Sequence, residues 1–343
     1  MGASRRSFAS GCGSALVAAA IAAGVGACSR GGAKESGAGG NASADAGAGA
    51  GAGAGPGAGA DAGAGAGPSA GDAAADDPYV TAEPIAAKSI GHTSYVLKVT
   101  LAGGAQAAFK PRSKRPLGDR RYKGEIAAYR LATALGLGNV PRAIPRTFAA
   151  APLRAALPDL DFAAIVDDGD TMRGALIPWI AGYRIVPLEE DAERERWEPW
   201  VFGGAAVPDA QRARAAAIAT MIAFDYVTAN WDRWSGGNVA EDDRGTLLYV
   251  DNDGAFYDWP APKALAAQRG QLERVARWSR RFVEALRRTD LRALRAALGD
   301  ERPGEPLVSE RALAGVDERR REVLAIVAAR VKAHGERATF AFE

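Results

Sequence analysis

The chain has 343 residues, with 43 Lys and Arg against 41 Asp and Glu, a formal net charge of +2 at pH 7. A balance this even, without a basic face interleaved with aromatics, argues against a nucleic-acid partner. Only two cysteines (Cys12, Cys28) and two histidines (His92, His334) occur, which excludes a disulfide framework or thiolate metal site and leaves a serine–histidine–acid triad without support.

Residues 1–28 read as an export signal. Arg5 and Arg6 precede Phe8, an apolar run follows from Ala15 to Val25, and Val25-Gly26-Ala27-Cys28 has the form of a lipobox. The apolar run is short and broken by Gly11, Gly13, Gly24 and Gly26, unlike a membrane-spanning helix. The expectation is a twin-arginine-like signal, lipidation of Cys28, and a membrane anchor in the bacterial cell envelope, on its periplasmic or outer-surface side. Residues 29–78 are Gly/Ala low complexity with too little side-chain surface to bury, and are expected to be a disordered tether.

The globular composition begins at Tyr79. Ile90–Leu101 reads as a strand entering after the loop Gly91-His92-Thr93-Ser94, with Gly103-Gly104 as a hairpin turn and Ala105–Phe109 as its partner. Backbone amides and hydroxyls of His92, Thr93 and Ser94 could meet phosphates. Lys110 ends the second strand. A helix is expected over Tyr122–Leu135, stopping at Gly136, with Glu125 in its first turn where the helix dipole favours an acid. A strand lysine followed by a helix-start glutamate is what a phosphotransfer cleft needs. Short extended pieces follow through Ala150. Arg173–Ile180 reads as an apolar strand running into Trp179-Ile180-Ala181-Gly182, suited to the wall of a base pocket and a hinge. Asp191–Trp200 reads as a charged surface segment. Helices are expected over Asp209–Thr228, Gln271–Leu298 and Glu318–His334.

The stretch Phe224–Phe256 carries two polar clusters inside apolar frames, Asn230-Trp231-Asp232-Arg233 and Asp251-Asn252-Asp253-Gly254. A hairpin turned by Glu241–Gly245 would converge Asp232, Asn238 and Asp251 on one pocket. Two carboxylates and an amide oxygen are hard ligands suited to magnesium carrying a nucleotide's phosphates. The bland alternative is a pair of Asx-rich turns that cap a helix and end a strand. Asp253 reads as a turn residue.

Four elements, Phe109-Lys110-Pro111, Glu125 in E-x-x-x-Y, Asn230-x-Asp232-Arg233 with Asn238, and Asp251-Asn252, stand in the order of the atypical protein-kinase-like fold. Over roughly residues 90–259 the chain resembles Golgi casein kinase-type secretory kinases, phosphatidylinositol 3-/4-kinases and bacterial persistence-toxin kinases. The resemblance implies an α+β fold of two lobes, a small β-rich N-lobe (residues 79–182) and a mainly helical C-lobe (residues 183–343). It implies ATP and Mg2+ or Mn2+, with Lys110 on the phosphates and paired with Glu125, Asp232 orienting and deprotonating an acceptor hydroxyl, and Asp251 and Asn238 holding the metal. The activity implied is phosphotransfer to a protein, sugar or lipid hydroxyl. Nucleotidyl transfer, ligation or non-catalytic nucleotide binding are the alternatives on the same fold. Two departures stand out: Trp234 follows Asp232-Arg233 where relatives commonly carry histidine, and Asp232 to Asn238 is one residue longer, an excess Gly236-Gly237 could absorb as a bulge.

Overall fold

The computed structural model describes residues 77–91 and 94–342. The export signal, the lipobox cysteine, almost all of the Gly/Ala tract, His92 and Thr93 lie outside the described residues. Among the described residues no helix is long and apolar enough to cross a membrane.

Five antiparallel strands, β1 (Pro84–Ser89), β2 (Leu97–Leu101), β3 (Gln106–Pro111), β4 (Ile144–Ala149) and β5 (Thr171–Pro178), form a sheet in the order β1-β2-β3-β5-β4. The β2–β3 hairpin turns on Gly103 and Gly104, both at φ +88°, a conformation that only glycine adopts without strain. The expected strand from Ile90 is shorter than anticipated: β2 begins only at Leu97, next to Val96, whose carbonyl accepts the Ile90 N–H at 2.9 Å. β1 itself had no sequence signal, because as an edge strand it is largely exposed and shows no alternation.

Alternation along β2 and β3 decides which side chains face where. Leu97, Val99, Leu101, Ala107 and Phe109 join Phe148, Met172 and Leu176 in a compact core on one face. Val96 and Ala108 turn to the other face, where Ile177 and Trp179 pack with them. Lys110, two residues after Ala108, shares that second face.

The first long helix, α1 (Gly118–Ala134), starts a full turn earlier than expected. Glu125 is therefore well inside it, and Asp119 is the first-turn acid, so the dipole argument for Glu125 does not hold. Tyr122, Ile126 and Leu131 of α1 belong to the larger, helical core. After α2 (Ala150–Ala156), that core is built by α3 (Asp191–Val201), α4 (Arg212–Thr228), α5 (Pro262–Arg274), α6 (Arg280–Arg288), α7 (Leu291–Leu298) and α8 (Glu310–His334). The single helix expected over Gln271–Leu298 is three helices. Ser279 and Asp290 cap the second and third by accepting from the Phe282 and Ala293 N–H groups, a signal present in the sequence but masked by the continuous Arg/Ala/Leu pattern. The charged segment Asp191–Trp200 is helical, and its Trp197 is buried, stacked on Trp234 with ring centroids 5.8 Å apart.

A small sheet, β6 (Arg184–Ile185), β7 (Val239–Glu241) and β8 (Leu247–Tyr249), contains the expected hairpin turned by Glu241–Gly245. It sits between the link from β5 and the loop that leaves α4. β9 (Asp300–Arg302) and β10 (Glu305–Pro306) complete the strands among the described residues.

Candidate active site

Lys110 reaches from β3 into the interior, 5 % exposed, where its Nζ pairs with Glu125 Oε1 and lies 2.8 Å from Asp251 Oδ1. Burial alone would favour the neutral amine. The carboxylates of Asp251, Glu125 and Asp253 outweigh that penalty and hold the Lys110 pKa above its ordinary value. Glu125 Oε1 also accepts the Asn252 N–H at 3.1 Å. This close approach depends on Gly124, where a Cβ would stand 2.7 Å from the Asn252 carbonyl oxygen.

Above this floor lies a narrow apolar cleft walled by Ala108, Ile177, Trp179, Tyr183 and Val250. Trp179 therefore stands where the sequence placed a base-pocket wall, with the Lys98 ammonium 3.8 Å from its ring centroid. Gly182, at φ +74°, follows in the link to β6.

α4 ends with Ala229 in the left-handed region, closed by the Asn230 N–H on the Asp225 carbonyl at 2.9 Å. That reversal delivers Asp232, 2 % exposed, beside the second cluster. A Cβ on Gly254 would stand 3.0 Å from Asp232 Cβ and 2.8 Å from Asn230 Oδ1, so the two clusters touch backbone to side chain. Phe256 N–H donates to the Thr228 carbonyl at 2.9 Å and closes the arrangement. The glycine pair takes up the extra residue: Gly236 and Gly237 have φ +96° and +79°, and the Asn238 amide donates to the Asp232 carbonyl at 2.8 Å.

The hub of the loop is Arg233, to which the sequence assigned no role beyond its motif. Its Nε meets Asp225 Oδ2 at 3.0 Å, its NH1 the carbonyls of Asn238 and Val250 at 2.6 and 2.5 Å, and its NH2 Asp225 Oδ1 and Asn252 Oδ1 at 3.1 and 2.6 Å. Burial pushes the Asp225 carboxyl up in pKa, and Arg233 opposes the shift. A lone acid in the apolar run Phe224-Asp225-Tyr226 was the available signal for a buried partner.

Asp253 stands in the expected turn, closed by the Ala255 N–H on the Asn252 carbonyl at 3.2 Å, but its side chain is buried. It is 2 % exposed, with Oδ2 3.2 Å from Arg121 NH1. Burial and the neighbouring Asp251 charge push its carboxyl up to about 7, against Lys110 and Arg121. Asp251 adopts φ +55°, a left-handed conformation costly for a non-glycine residue and frequent at functional sites.

Among the described residues no group of three or more His, Cys, Asp or Glu forms a ready-made metal site. Among the buried oxygens without a hydrogen-bond partner in the protein are nonetheless Asn238 Oδ1, Asp251 Oδ2 and Asp253 Oδ1. A buried acceptor without a donor costs about 1–3 kcal/mol. An all-oxygen set completed by phosphate oxygens and water is the habit of Mg2+, so the donors present fit a hard divalent cation. The structure thus brings together Lys110, Glu125 and Asp251 by direct contact, and Asp232 and Asn238 through one loop. Ser94 lines a neighbouring pocket that also borders Lys110.

No protein-family profile matches the chain, and no curated protein matches it in sequence. Solved structures do match. A structure of hydra Fam20 with sugar superposes with a TM-score of 0.56 at 19% identity, covering 76% of this chain and 89% of that one. The Golgi casein kinase with Mn/ADP bound superposes with a TM-score of 0.58 at 13% identity, covering 79% of this chain and 78% of that one. Another structure of the Golgi casein kinase gives 0.55 at 13%, covering 76% of each chain. The chain has the atypical protein-kinase-like fold, α+β, with a sheet-rich N-terminal lobe and a mainly helical C-terminal lobe.

Proposed function

We propose that the chain is an ATP-dependent phosphotransferase acting on a hydroxyl of a protein, sugar or lipid. The observation that carries this is the buried Lys110–Glu125–Asp251 ion-pair set at the floor of an apolar cleft, with Asp232 beside it. The apolar walls at Ala108, Ile177, Trp179 and Val250 suit a planar base. Lys110, held by Glu125, would bring its ammonium against phosphate oxygens, and its raised pKa keeps it charged. Asp251 and Asn238 would hold Mg2+ or Mn2+, which when bound neutralises phosphate charge. Asp232 would orient the acceptor hydroxyl and take its proton. The nucleotide and metal in the similar Golgi casein kinase structure support the same pairing of ligands here.

The test is label transfer from ATP to panels of protein, glycan and lipid acceptors by the purified protein and its Asp232→Ala and Asp251→Ala variants. The wild type is expected to transfer label, and each variant to lose about 100-fold or more. Equal transfer by all three proteins overturns the reading. Domain limits at residues 79–182 and 183–343, and attachment to the bacterial envelope through lipidated Cys28, belong to the same proposal. Fatty-acid labelling that persists in Cys28→Ala would remove the anchor.

A further inference from the structure

The arginine-rich run from Arg112 to Arg121 is sorted by its partners. Arg112 is turned away by Asp119 and Asp167, at 2.6 and 2.7 Å, and Arg120 is held by Asp258 at 2.5 Å. Arg115 and Arg121 instead line a second, roomier pocket that shares Lys110 with the apolar cleft. Its lining carries more polar groups than the cleft's, among them Ser94, Ser113 and Asp253. The loop that presents Arg115 is folded tightly on itself. Leu117 sits at φ +64°, and a Cβ on Gly118 would stand 2.7 Å from Ser113 Cβ. The Arg115 guanidinium also lies over the Tyr95 ring, 4.5 Å from its centroid, joining this loop to the one that carries Ser94. A second observation points to a ligand: Asp253, which borders the pocket and is 2 % exposed, has Oδ2 on Arg121 while its Oδ1 lacks a partner.

We propose that this pocket takes the outer phosphates of the nucleotide, with Arg121 and Arg115 as its cationic wall and Asp253 as an additional carboxylate toward the divalent cation. The proposal rests on the nucleotide reading above. Guanidinium forks match phosphate oxygens, and a cation shared by Asp251 and Asp253 would offset the charge that Arg121 now neutralises. Lys110, common to both pockets, is the point where base and polyphosphate would be divided. An anionic group on the acceptor has the same chemistry, and the test separates the two sources.

Calorimetric titration of the purified protein with AMP, ADP and ATP in Mg2+, and with inorganic tripolyphosphate, is run on the wild type, Arg121→Gln and Arg115→Ala. Affinity should rise from AMP to ATP in the wild type. ATP should weaken about tenfold or more in either variant, the loss of one charge-assisted hydrogen bond, while AMP is unchanged. Arg115 is exposed, so its variant carries the test if Arg121→Gln does not fold. Tripolyphosphate should displace ATP. Variants that bind ATP like the wild type, or that lose AMP equally, overturn the proposal alone. Tripolyphosphate that binds without displacing ATP assigns the pocket to an acceptor and also overturns it. A wild type that binds no nucleotide overturns the proposal together with the reading beneath it.

Discussion

Two buried ionic networks lie on either side of residues 250–252, and they are completed to different degrees. Around Arg233 all five guanidinium donors have acceptors, supplied by Asp225, Asn252 and the carbonyls of Asn238 and Val250. Around Lys110 the charges are paired, yet Asp251 Oδ2 and Asp253 Oδ1 have no donor and Asp251 holds a left-handed backbone. A saturated buried network rigidifies, whereas unsatisfied acceptors and local strain are retained only where something outside the chain completes them. The first network is scaffold. The second is left open to a ligand, as the proposed function requires.

The sharpest way to break this contrast is Arg233→Ala, which strands Asp225 in the core. It is expected to cost about 3–5 kcal/mol in denaturant unfolding, or to prevent folding. A loss below about 1 kcal/mol, the scale of an exposed pair, would mean that Arg233 is no scaffold. Gly124→Ala comes next: its Cβ must displace the Asn252 carbonyl, an overpacking expected to cost about 1–3 kcal/mol. Asp251→Asn should change stability least, by less than about 1 kcal/mol, because Lys110 keeps Glu125, the Asp251–Asp253 repulsion is relieved, and Asn tolerates the left-handed region. The same variant should lose the rise in Tm that Mg-ATP gives the wild type. A retained shift would remove Asp251 from the ligand set.

What was legible in the sequence follows the same division. Lys110, Glu125 and Asp251 were found because each closes a local pattern: strand alternation, helical spacing, and an apolar strand ending in acid. Trp179 was found as the end of an apolar strand. The Arg233 hub was not, because its value lies in joining α4 to Asn238 and residues 250–252, contacts that no local period encodes. The burial of Asp253 escaped for a related reason. An Asp-Gly pair signals a turn, and the turn is there, but α1 approaches it closely at Gly124 and Asp253 is buried. The helix-start argument for Glu125 fails because the helix begins at Gly118; its charge is held instead by Lys110 and the Asn252 N–H.

The helix α1 is anchored along its length. Its residues Tyr122, Ile126 and Leu131 are packed in the large helical core, and the Tyr122 hydroxyl donates to Glu301 at 2.8 Å. Swinging this helix outward to withdraw Glu125 from Lys110 would expose those side chains at about 1.5–3 kcal/mol each. In kinases that are switched by the position of the corresponding helix, that displacement is the resting state. Here it would amount to partial unfolding. The Lys110–Glu125 pair is therefore assembled with the core itself, and no separate motion of α1 is needed to form it.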